Sequence, residues 1–148
     1  MIRLSKLSDY AVVVLSQLAR DAGRILSAAE LAQATTLPEP TVSKVLKVLA
    51  KGNLIVSTRG ASGGYTMERR PSDITVRELI TALEGPIAVT TCLEENNSDC
   101  GVSHLCPMKG RWQKVNHAIM KTLDEMSLEE LLIPVSSSRA SAKNMELV

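Results

Sequence analysis

Phenylalanine is absent from this 148-residue chain, and Tyr10, Tyr65 and Trp112 are its only aromatic residues. A β-sandwich draws heavily on aromatic and β-branched side chains, so a core built from Leu, Val, Ile, Ala and Met points to helices instead. Long apolar runs are missing too. The stretch "YAVVVL" is too short for a secretory signal and follows mixed charge, and no segment is long enough to span a bilayer. The expected location is the cytoplasm, with no membrane partner. Cysteine is missing everywhere except at Cys92, Cys100 and Cys106, and an odd number of thiols in a reducing compartment argues against a disulfide framework. No phosphate-binding loop, catalytic triad or paired-carboxylate pocket can be read, so an enzyme is not expected. At this length a single fold buries roughly 68 to 70% of its unfolded surface and needs no staples.

The net charge of +1 hides an asymmetry: residues 1–70 carry ten Lys or Arg against five Asp or Glu, and residues 71–148 carry seven against eleven. A basic front and an acidic back suggest that only the first half meets a polyanion.

Apolar residues recur at helical spacing from Leu7 through Tyr10, Ala11, Val14, Leu15 and Leu18, predicting a helix from about Ser5 or Ser8 to Arg20. Asp9 falls in its first turn, where the helix dipole favours a carboxylate. Ser27 and Glu30 form an S-x-x-E capping box for a short second helix. Pro40 suits the first position of a third, which runs through "TVSKVLKVLAK" to Gly52 with Val42, Val45, Leu46 and Leu49 on one face. "LIVST" and "YTM" read as two short strands joined by the Gly-rich "RGASGG". The order is that of a winged helix-turn-helix, over residues 1–70.

Beyond "RRPSD", Thr75 and Glu78 cap a helix that Gly85 and Pro86 end. A long helix is then expected from about Pro107 to Met126, with Trp112, Val115, Ile119, Thr122 or Leu123, and Met126 forming a seam suited to a second helix. Packing on its own chain or on a second copy explains that seam equally well. Ser127 and Glu130 make a third capping box, and residues 71–132 form the second unit. The closing 133–148 lacks a periodic apolar face and is expected to be disordered. The fold class is thus mainly α with a small β-hairpin wing, followed by a long C-terminal helix.

A recognition helix presents hydroxyls and basic chains from its first turns to base edges and phosphates. Thr41, Ser43, Lys44 and Lys47 have those types and positions. In the wing, Arg59 suits a narrow minor groove, and Ser62, Gly63, Gly64 and Tyr65 complete a turn whose backbone can approach a phosphate closely. Arg3 and Lys6 add charge from the N-terminus. The expected partner is double-stranded operator DNA.

The three cysteines are spaced C-x7-C-x5-C, which is neither a standard zinc knuckle nor a ferredoxin run. Read alone they permit buried structural thiols, a zinc site, a thiol redox switch or an iron–sulfur cluster. Cys106 precedes Pro107 at the expected start of the long helix, where the dipole would favour the thiolate.

"RLSKLSDYAVVVLSQLA", "SAAELA", "PTVSKVLKVLAKGNLI", "RGASGGY", "ITVRELITALEGP" and the three-cysteine segment together resemble the Rrf2 family of bacterial regulators over roughly residues 1–132. The resemblance is strongest to the SUF-system regulators of iron–sulfur cluster assembly, with IscR and NsrR as relatives. It implies a homodimeric winged-helix repressor whose cysteines hold an iron–sulfur cluster, of two-iron or four-iron form, and whose long C-terminal helix pairs two subunits. It also implies that cluster state alters operator binding. The chain departs from the IscR pattern at one place. There a histidine follows the third cysteine by three residues; here that position is Lys109, and an ammonium group is a poor ligand. His104, Asp9 or an external ligand could serve instead. Asp9 is favoured, because it matches the first-helix aspartate that NsrR-type relatives contribute from the other subunit. A nitric-oxide-sensing repressor, or a zinc-stabilised or thiol-redox interaction module, are the alternatives in function. An electron carrier is disfavoured by the missing fourth cysteine and the basic front half.

Overall fold

The computed structural model describes residues 3–90, 93, 105–108 and 110–132. Helix α1 (Lys6–Arg20) buries Ala11, Val14, Leu15 and Leu18. Its companion α2 (Ala28–Thr35) opens on the expected capping box, with the Ser27 hydroxyl accepting from the Glu30 N–H and the Glu30 carboxylate accepting from the Ser27 N–H. Thr36 takes a left-handed conformation (φ 59°) that ends α2. Helix α3 (Glu39–Lys51) then starts after Pro38 and buries the predicted Val42, Val45, Leu46 and Leu49. Pro40 falls in the second position of α3 rather than the first, still within the turn whose N–H groups lack helical partners.

Strands β1 (Val56–Thr58) and β2 (Gly64–Thr66) pair antiparallel with Ser57 opposite Tyr65. The wing is also tied back to the body: Tyr65 donates its N–H to the Leu26 carbonyl at 2.8 Å and accepts the Leu26 N–H at 2.9 Å. A 3-10 turn (Pro71–Asp73) leads to α4 (Val76–Glu84), whose Thr75–Glu78 capping box forms as expected.

The long helix, α5 (Arg111–Glu125), begins later than its sequence suggests. Gly110 precedes it in a left-handed conformation (φ 75°), which no helix continues through, so Cys106 and Pro107 lie in the turn ahead. Cys106 is therefore not in the first turn of α5, and the expected help from that helix dipole does not apply to it. After Met126 the chain folds back as α6 (Leu128–Leu132).

One hydrophobic cluster runs across residue 70, joining the buried side chains of α1–α3 to Ile74, Leu79 and Leu128. The return of the chain is held by two backbone bonds, Val76 N–H to Met126 at 2.9 Å and Leu128 N–H to Ile74 at 2.8 Å. Segments 1–70 and 71–132 thus share a core. The tail at 133–148 lies outside the described residues.

Candidate nucleic-acid interface and metal centre

The apolar face of α3 is fully committed to the core, which leaves Lys44 and Lys47 exposed and Thr41 and Ser43 half-buried on the remaining surface. Arg3, Lys6 and Arg59 are exposed as well. Among the described residues, Arg24, Arg69, Arg70, Arg77 and Lys121 form ion pairs with carboxylates. None of the five cations assigned to DNA does so. They can meet phosphate without first breaking a local pair.

The wing residues divide by role. Arg59 and Ser62 are exposed near its tip. Gly63 donates its N–H to the Gly60 carbonyl, and a Cβ there would strike the Thr58 carbonyl oxygen. At Gly64 a Cβ would stand 2.5 Å from the Leu26 carbonyl oxygen. Tyr65 is half-buried against the core, with both backbone polar groups bonded to Leu26. These three residues build the wing, and the side chains free to meet a ligand are those of Arg59 and Ser62.

Of the thiolate site, Cys106 is described and carries a free, half-buried thiol. Cys92, Cys100, His104 and Lys109 lie outside the described residues. Asp9 is exposed and forms no hydrogen bond or ion pair among the described residues. It does not cap its helix. At that end of the helix Glu84, from the end of α4, accepts through its Oε1 the Ser5 N–H at 2.9 Å and the Ser5 and Ser8 hydroxyls at 2.6 Å each. The Ser5 hydroxyl first, then the Ser8 hydroxyl and the Ser5 N–H, hold the Glu84 carboxyl below its ordinary value of 4.5. Iron–sulfur clusters take soft thiolates, and a carboxylate can supply a fourth donor. Cys106 and Asp9 both fit such a set, since neither is bound to anything else among the described residues. No group of three or more His, Cys, Asp or Glu stands at metal-binding spacing among the described residues.

Two residues with no local sequence signal tie together the elements that flank these positions along the chain. Glu84 ties α4 to the helix that carries Asp9. Asn116, on α5, bonds the backbone of Ile87 and Val89, a few residues ahead of Cys92. A polar residue on an exposed-looking helix sends no local signal of such a role; only the neighbouring backbone reveals it.

A helix-turn-helix whose second helix has a basic outer face, followed by a hairpin wing, defines a winged-helix DNA-binding protein. The chain belongs to the Rrf2 family: the family model described as "Iron-dependent Transcriptional regulator" matches residues 4–133. NsrR of Oceanobacillus iheyensis and CymR of Bacillus subtilis are each 30% identical over 131 residues, covering 87% of this chain and 88% of theirs. Among solved structures, B. subtilis CymR, described as its global cysteine regulator, matches with a TM-score of 0.63 at 28% identity, covering 89% of this chain and 97% of that one. IscR of T. potens matches with a TM-score of 0.60 at 29% identity, covering 94% of this chain and 90% of that one. These relatives are transcriptional regulators rather than enzymes, and this chain is a transcriptional regulator of the same type. No helix among the described residues is long and apolar enough to cross a membrane.

Proposed function

We propose that the chain is a cytoplasmic, homodimeric repressor of iron–sulfur cluster assembly genes that senses cluster status through Cys92, Cys100 and Cys106. The observation that carries this reading is the confinement of every cysteine to fifteen positions of a chain whose family model is described as iron-dependent. A redox switch or a single buried thiol would not need three. Asp9 of the partner subunit is the proposed fourth ligand, supported by its exposed carboxylate with no partner among the described residues. A bound cluster would supply a centre that oxidants and nitric oxide attack.

Dimerisation is supported by α5, on which Trp112 is 38% and Val115 44% exposed while Ile119 and Leu123 are half-buried. An apolar stripe left open along one helix is a surface for a second copy. DNA contacts are assigned to Arg3, Lys6, Thr41, Ser43, Lys44, Lys47, Arg59 and Ser62, with Gly63, Gly64 and Tyr65 shaping the wing. Paired half-sites are sensitive to the spacing of two recognition helices, so a ligand shared between subunits would couple cluster state to operator affinity.

Anaerobic purification with absorption spectroscopy and iron, sulfide and zinc analysis tests the reading. A coloured protein with iron and sulfide is expected; a colourless protein with stoichiometric zinc refutes it. Asp9→Ala should weaken the cluster more than His104→Ala. Nitric-oxide sensing is the second reading, favoured by the 30% identity to an NsrR. It is selected if nitric oxide releases operator DNA while iron limitation does not.

A further inference from the structure

Helix α5 is fifteen residues long, and its one buried residue is a polar one, Asn116, at 9% exposure. A buried amide is unfavourable unless both its oxygen and its nitrogen find partners. Here the Oδ1 accepts the Val89 N–H at 3.1 Å, and the Nδ2 donates to the Ile87 carbonyl at 3.1 Å, with the Met120 sulfur 3.8 Å away. The side-chain amide thus pairs with the backbone of two residues of the segment that follows α4. An apolar residue could fill the same space, but it could not set the register of that segment on the helix.

The other end of the segment is also held. Glu84 is bound to Ser5 and Ser8 of the α1 N-terminus, one turn from Asp9. Residues 84–89 therefore form a strap anchored at one end to the helix that carries Asp9 and at the other to α5. Leu93, just past Cys92, lines a groove with Gln113, Asn116, His117 and Met120 on the same side of α5.

We propose that Asn116 is a positioning residue: its amide fixes the point on α5 from which the chain runs into the cysteine-bearing segment, and so sets how tightly the cluster is held. This rests on the iron–sulfur reading above. A residue that orients metal ligands without touching the metal changes metal affinity by roughly 10- to 100-fold when it is lost.

The test compares full-length wild type, Asn116→Leu and Asn116→Asp, purified anaerobically. Hydrogen exchange of residues 86–93 in the cluster-free protein reports the tie itself, and the rate of cluster loss to a chelator reports its consequence. In Asn116→Leu the Val89 amide should lose about 10-fold or more of its protection, and the cluster should be lost roughly 10-fold faster. Exchange in α1–α3 should not change. Asn116→Asp keeps an acceptor for Val89 but has no donor for Ile87, so it should fall between the two; it carries the test if the leucine variant does not fold. Loss of Val89 protection with a wild-type cluster lifetime overturns the proposal alone. A wild type that takes up no iron and sulfide overturns the iron–sulfur reading, and this inference with it.

Discussion

Gly64→Ala separates two reasons for a glycine in the wing. If the glycine serves only to let DNA phosphate approach, alanine should weaken operator binding and leave the free protein untouched. The structure predicts the reverse order of effects. A Cβ at Gly64 would stand 2.5 Å from the Leu26 carbonyl oxygen and 2.7 Å from its carbon, where ordinary contact begins near 3.4 Å. The Leu26 backbone must therefore withdraw by about 0.9 Å, a gap set by those two distances. That shift stretches the Leu26–Tyr65 bonds, now 2.8 and 2.9 Å, past the 3.5 Å at which a hydrogen bond is lost. Two backbone hydrogen bonds at about 1 kcal/mol each amount to roughly 2 kcal/mol, a shift in the unfolding equilibrium of about 30-fold. For a chain of this size the melting temperature should fall by about 4 to 8 °C. Thermal and urea unfolding by circular dichroism, without DNA, measure this directly. A melting temperature within about 1 °C of wild type, together with weakened DNA binding, would refute the reasoning.

Leu128→Ala should destabilise the protein by about 2–5 kcal/mol in urea unfolding, because a fully buried side chain of the shared core is truncated; a loss below about 1 kcal/mol would mean that α6 only rests on the surface. The Glu84 carboxyl is held low by its serine donors, so the stability it contributes is present above its ordinary value of 4.5 and is lost as pH falls through its lowered value. Glu84→Gln should accordingly flatten the acid side of the stability profile, and an unchanged profile would show that the Ser5–Ser8 clasp carries no linkage. Arg59→Ala should weaken operator binding and reduce the slope of log affinity against log salt by about 0.9, the share of one phosphate. An unaltered slope, measured by titration at several salt concentrations, would remove Arg59 from the phosphate contacts.

Where chemistry is local, the sequence is a good guide to this protein. The boxes at Ser27–Glu30 and Thr75–Glu78 close as read, because a hydroxyl three residues ahead of a carboxylate satisfies end groups of the helix it opens. Ser127 likewise donates its N–H to Glu130 at 2.9 Å. The buried face of α3 follows directly from its apolar spacing. Pro107 misleads as a helix start because Gly110, three residues later, adopts a conformation that breaks the helix first.

Local pattern determined the order of elements, the helix-turn-helix with its wing, the basic outer face of α3 and the clustering of thiols. Only the tertiary structure decided that the wing is bridged to Leu26, that Leu128 completes a core begun at Ala11, that Glu84 clasps Ser5 and Ser8 at the start of α1, and that Asn116 holds the strap before the cysteines. Each of these joins residues at least 27 positions apart. Periodicity and capping report on neighbours within a turn or two, whereas a contact between distant segments exists only once the shared core has brought them together.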